Sequence, residues 1–215
     1  GSRRMQMHPN LGTDEEAQNI VYLPSKSQFL FTEGFAFHFD FAMSNPDGTD
    51  HHNLMIQNRL ASDEHIIWFD NNPIIAADES FFVFKTSKTS TWGHNIYRYD
   101  FATNVLTKLY DSSVFEIHLK PSVSGNLILL EEKQPAALKL IDVTNNQIYQ
   151  LTIEGSLIAY DFLPGGRSAA VQHYVAREEK IHRALFDDHG IKQSDINWNG
   201  HPLPGNSPQR PALLK

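Results

Sequence analysis

The sequence predicts an all-β fold, a β-propeller-like array of four or five four-stranded antiparallel blades. Three observations carry this expectation. Short apolar stretches alternate with turn-forming residues along nearly all of the 215-residue chain. Helix-forming composition is confined to Ala176–Lys180, too short a stretch to stand as a helix on its own. A strand–turn–strand unit also recurs at a fixed spacing: Asp100 to Asp142 and Leu109 to Leu151 are each 42 residues apart. A repeat near that length fits one four-stranded blade.

Residues 1–18 are polar and aperiodic, and Gly1-Ser2 has the form of a tag-cleavage scar, so this segment reads as a tag remnant and loose lead-in. The propeller-like domain is expected over 19–193. Val21 and Leu23 begin an apolar stretch, Pro24-Ser25-Lys26-Ser27 turns it, and Phe29-Leu30-Phe31 reads as a buried strand. Phe35, Phe37, Phe39, Phe41 and Met43 then alternate with Ala36, His38, Asp40 and Ala42. That period of two predicts one strand over 35–43 with its phenylalanines in a core between blades. Asn45-Pro46-Asp47-Gly48 closes it as a turn.

The second unit is Phe81–Phe84, a polar loop, Ile96–Tyr99, the turn 100–104 and Val105–Leu109. The third repeats it as Leu127–Leu130, Leu138–Ile141, the turn 142–146 and Gln147–Leu151. A fourth runs from Tyr160 through Pro164-Gly165-Gly166 to Ala169–Val171, Ile181–Leu185, the turn Asp187-Asp188-His189-Gly190 and Ile191. Ile196-Asn197-Trp198 reads as the first strand of a fifth blade or as a strand closing the ring. Residues 194–215 hold four prolines, which suits a Pro-rich tail better than a central strand.

These units resemble the WD40-like repeats of the TolB type. The resemblance rests on Tyr99-Asp100-Phe101-Ala102-Thr103-Asn104 with Leu109, and on Ile141-Asp142-Val143-Thr144-Asn145 with Leu151. Asn45–Asp50 with Leu54 is similar to a longer variant of the same turn, and Pro164-Gly165-Gly166 to the turn that precedes a buried strand. It covers roughly residues 19–193 and implies a propeller. No unit ends in Trp-Asp, so the eukaryotic-type WD40 pattern is not matched.

The chain carries 25 acidic against 18 basic residues, a net charge of −7, with no Lys/Arg-rich stretch. Nucleic-acid binding is therefore not expected. No apolar run reaches the ~18 residues of a membrane span. The absence of cysteine removes disulfides, thiolate catalysis and cysteine-ligated metals, and leaves the compartment open. No G-x-S-x-G, H-E-x-x-H or P-loop occurs, and no cofactor is implied. His51-His52 beside Asp47 and Asp50 offers nitrogen and oxygen ligands, but adjacent strand residues face opposite ways, so the segment reads as a solvated turn and no metal is assigned. His38, among phenylalanines, reads as structural.

Function is sought in equivalent loops. The segments 85–94, 131–137 and 174–180 lie between the second and third strands of successive units, and a propeller would gather them on one rim. That rim would carry Lys88, Trp92, His94, Glu131, Glu132, Arg177 and Glu178. Mixed charge around one aromatic suits a protein or peptide partner better than a small molecule, which prefers a mostly apolar pocket. The expected function is therefore a non-catalytic binding module. The alternative is a carbohydrate- or peptide-acting hydrolase using Asp70, Asp111, Glu116 and Asp161 near the starts of inner strands. A third reading is a propeller segment completed by self-association.

Overall fold

The computed structural model describes residues 16–35, 38–66 and 72–197, and all its regular elements among these are strands apart from a single 3-10 turn at Gln57–Arg59. The chain divides into two compact units, Gly1–Ser113 and Val114–Lys215.

In the first unit, β1 (Glu16–Leu23), β2 (Gln28–Phe35), β3 (His38–Ser44) and β4 (His52–Asn53) form one antiparallel sheet in that order. The second sheet takes β5 (Glu64–Ile66), β6 (Ile74–Ile75), β7 (Phe81–Lys88), β8 (His94–Asp100) and β9 (Leu106–Ser112). β5 and β6 both pair with β7, Ile66 opposite Thr86 and Ile74 opposite Val83. They act together as one interrupted strand, so this sheet is also four strands wide. The two sheets share a core in which Phe41 packs edge-on against Phe82 at 4.8 Å and Phe84 at 5.0 Å.

In the second unit, β10 (Ile117–Pro121), β11 (Leu127–Lys133), β12 (Ala136–Asp142) and β13 (Gln147–Gln150) make the third sheet. β14 (Ser156–Phe162), β15 (Ala169–Val175), β16 (Lys180–Phe186) and β17 (Lys192–Asn197) make the fourth. Leu127, Leu129, Leu138 and Leu140 of one meet Val171, Ala184 and Phe186 of the other. The all-β array of four-stranded antiparallel sheets is thus as expected.

The 42-residue repeat has a physical basis in its turns. Asp100 Oδ1 accepts the backbone N–H groups of Ala102 (3.1 Å) and Thr103 (3.0 Å), and Asp142 Oδ1 those of Thr144 and Asn145, both at 3.0 Å. Asn104 (φ 55°) and Asn146 (φ 53°) then supply the left-handed residue that returns the chain.

Two strand assignments need correction. The alternating run 35–43 is not one strand: β2 ends at Phe35, which pairs with His38 at the start of β3. A tight hairpin has the same apolar alternation on both of its arms, so periodicity alone does not reveal the reversal. Phe39 and Phe41 are in the core as expected, while Phe37 and the side chain of Phe35 lie outside the described residues. Ile196 and Asn197 belong to the fourth strand of the fourth sheet, pairing with β16 and beginning no new blade; Trp198 lies outside the described residues. Among the described residues, strands run from Glu16 to Asn197.

Candidate functional site

The hairpins joining second to third strands carry most of the residues singled out above. In the first unit, the β7–β8 turn is tightly built. Lys88 N–H donates to Gly93 O at 2.9 Å, Trp92 N–H to Lys88 O at 3.0 Å, and Thr89 N–H to Asp63 O at 2.9 Å. Ser90 also bonds the Asp63 carboxylate. Gly93 is required by close approach, because a Cβ there would lie 2.2 Å from the Ser112 carbonyl oxygen. Trp92, at φ 58°, is held with 67% of its surface exposed. Singly exposed apolar side chains are ordinary, and Phe115 is 70% exposed as well; what distinguishes Trp92 is the tightly bonded turn that holds it.

Lys88 is ion-paired to Asp111 on β9, and His94 Nδ1 bonds Thr86 O at 3.0 Å. Behind them lies Glu64, which sequence reasoning did not select. It is 3% exposed and accepts from Asn95 Nδ2 (2.5 Å) and Tyr97 Oη (2.6 Å), with Lys108 Nζ at 3.4 Å. Burial, followed by this carboxylate, raises the Tyr97 phenol pKa well above its ordinary value, so Tyr97 stays a donor. Lys108 also reaches Asp111 at 3.5 Å. A chain of charges therefore runs from buried Glu64 through Lys108 and Asp111 to Lys88 beside the Trp92 turn. Its signal in the sequence is faint, the second of two acidic residues, Asp63-Glu64, separated by His65 from the apolar run 66–69.

In the second unit, Glu131 and Glu132 point to opposite faces of β11, as neighbours on a strand must. Glu131 accepts from Tyr160 Oη at 3.0 Å and pairs with Lys133. Glu132 is only 6% exposed and paired with Lys139, so its carboxylate is buried within the unit and not displayed on the rim. Grouping the two glutamates as one charged patch is corrected on that ground. At the β15–β16 hairpin, Arg177 grips Glu154 at 2.9 Å, and Glu178 lies 3.0 Å from His182 Nε2. Beneath it, His182 stacks on His173 at 5.6 Å.

The carboxylates named for a hydrolase are engaged otherwise. Hydrogen bonding to Lys88 lowers the Asp111 pKa, and hydrogen bonding to Lys120, 2.7 Å away, lowers that of Asp161. Both are thereby held as anions, unsuited to donate a proton. Glu116 sits 3.0 Å from His118 Nε2, and Asp70 lies outside the described residues. His51 turns to Glu33 at 2.7 Å and His52 to the Asp50 carbonyl at 3.0 Å, so the two rings diverge. Among the described residues, Asp187, Asp188 and His189 are close enough to share an ion, but they form an exposed turn whose acceptors already serve it, Asp187 Oδ1 taking the N–H groups of His189 (3.0 Å) and Ile191 (2.8 Å).

No protein-family model matches the chain, and no curated protein does. Solved structures do. An oligogalacturonate lyase in complex with manganese superposes with a TM-score of 0.57 at 8% identity, over 86% of this chain and 55% of that one. The β-propeller domain of the Trilobed protease from Pyrococcus furiosus gives 0.53 at 9% identity, over 87% of this chain and 58% of that one. TolB from Acinetobacter baumannii also matches, at 0.49 and 13% identity, over 83% of this chain and 43% of that one. The fold rests on the first two: the sheets are β-propeller blades. The chain spans about half the length of these structures. No helix among the described residues is long and apolar enough to cross a membrane.

Proposed function

We propose that the chain is a non-catalytic binding module that presents its second-to-third-strand hairpins to a protein or peptide partner. The observation that carries this reading is Trp92, an indole 67% exposed on a turn tied down by Gly93 and Asp63. Such an anchor loses little conformational freedom on binding, so its apolar surface is available for affinity. Lys88 and His94 flank it and give it a polar surround that suits a peptide backbone or acidic side chain. Glu131, Arg177 and Glu178 are the corresponding groups of the second unit.

The test is an affinity pull-down from the native host, followed by affinity measurement on the partner recovered. Trp92→Ala should weaken binding by roughly 30-fold, about 2 kcal/mol for a buried interfacial aromatic. Asp188→Ala, at the turn on the opposite end of the fourth sheet, should change it little. The reverse pattern rejects the assignment of the working surface.

A further inference from the structure

The β15–β16 hairpin buries two histidines side by side. His173 of β15 and His182 of β16 stand directly opposite each other in the sheet register. They are 3% and 6% exposed, and their rings stack with centroids 5.6 Å apart and 26° between planes. Buried polar atoms are ordinarily hydrogen-bonded, and one that is not calls for a water or an ion. His173 Nε2 and His182 Nε2 are both shut off from solvent and find no hydrogen-bond partner in the chain.

The surroundings fix what these nitrogens offer. His173 Nδ1 lies 2.6 Å from the Glu154 carbonyl oxygen, which can only accept, so Nδ1 carries the hydrogen and in the neutral ring Nε2 presents a lone pair. Glu154 is held in turn by Arg177, 2.9 Å away at the hairpin. The turn folds back through Glu178 N–H to Val175 O at 3.1 Å. This sets Glu178 Oε2 3.0 Å from His182 Nε2, without the alignment of a hydrogen bond. Two imidazole nitrogens and a carboxylate oxygen thus gather beneath one turn, and no N–H or O–H of the chain is bonded to either nitrogen.

We propose that His173 Nε2, His182 Nε2 and Glu178 Oε2 bind a zinc ion. Two imidazoles and one carboxylate, with a fourth position left for water, are a zinc ligand set, whereas magnesium takes oxygen ligands. The outer contacts suit it as well, since a ligating histidine characteristically donates its other ring N–H to a carbonyl or carboxylate, as His173 does to Glu154. Ligand atoms on one tetrahedral zinc stand about 3.3 Å apart, given bonds of about 2.0–2.1 Å. Glu178 and His182 are near that spacing at 3.0 Å. His173 completes the set by turning its ring out of the stack, within reach because Cβ atoms of opposed strand residues are only about 4.5–5.5 Å apart. The ion ties the turn to both strands, and partly exposed Glu178 marks its way in.

Calorimetric titration of the full chain with zinc, after treatment with a chelator, tests the proposal. One tight equivalent is expected, with a melting temperature that rises with zinc and is indifferent to magnesium. His173→Gln and His182→Gln should each weaken that equivalent about 100-fold or more, and Glu178→Gln about tenfold. Glu178 lies on a surface turn, so its variant keeps the test decisive if neither buried histidine can be replaced without unfolding. His189→Ala, which removes the ring of the exposed Asp187-Asp188-His189 turn, should change nothing. A chain that takes up no zinc at about 100 μM overturns the proposal. So does an equivalent that Glu178→Gln leaves unchanged, or one that His189→Ala removes.

Discussion

Trp92 and Gly93 divide the work of one turn. The tryptophan occupies a left-handed conformation at φ 58° that costs an L-residue about 1–2 kcal/mol, and it buries little in return. Trp92→Gly should therefore leave the melting temperature unchanged or raise it while removing the anchor. That separates loss of binding from loss of folding, and a clear fall in melting temperature would show that the indole packs. Gly93→Ala should do the opposite. Its Cβ would meet the Ser112 carbonyl oxygen at 2.2 Å, so the hairpin must shift, at about 1–3 kcal/mol read from denaturant unfolding. An unaltered midpoint would mean that the turn is looser than described. Trp92 could be picked out of the sequence because it stands among polar residues. Gly93 could not, because its need arises from β9, far along the chain.

At the level of elements, the third-to-fourth-strand turns are the most repetitive feature. Asp100 and Asp142 cap theirs with the same two backbone bonds. Asp100→Ala and Asp142→Ala should each cost about 0.5–1.5 kcal/mol, by similar amounts, since a net hydrogen bond contributes that order. Markedly unequal losses in paired thermal melts would break the equivalence of the two blades. This local chemistry is why the repeat was legible: an Asx turn needs a side chain two or three residues from its donors, and both lie within a short window. The β2–β3 reversal was hidden for the converse reason. The alternation of Phe35, Phe39 and Phe41 continues through it, and the pairing of Phe35 with His38 is a fact about register. Likewise Glu131 and Glu132, both expected on one mixed-charge rim, lie on opposite faces of β11, which only the strand assignment reveals.

For the molecule as a whole, two units each hold two sheets around one apolar core. The acid sensitivity of that arrangement follows from its carboxylates. Asp111 and Asp161 have pKa values lowered by their lysines. Their contribution is complete above the ordinary carboxylate range and is lost as pH falls through the lowered values. Asp40 acts in the other direction: burial raises its pKa, so its protonation on acidification relieves a cost. Melting temperature should be level near neutrality and fall only below about pH 4. Asp111→Asn and Asp161→Asn should each flatten that fall, and an acid limb unchanged in both would mean that neither pair stabilises the fold. Of the whole, the blade array was readable from periodicity and turn chemistry, whereas the Glu64 network depends on contacts between strands distant in sequence. The central claim, that the β7–β8 hairpin is a partner-binding surface, is tested most directly by a photo-crosslinking amino acid placed at position 92 and, separately, at position 188, with each protein irradiated in extract of the native host. A discrete crosslinked product from position 92 and none from position 188 is predicted; a product from position 188 alone would contradict it.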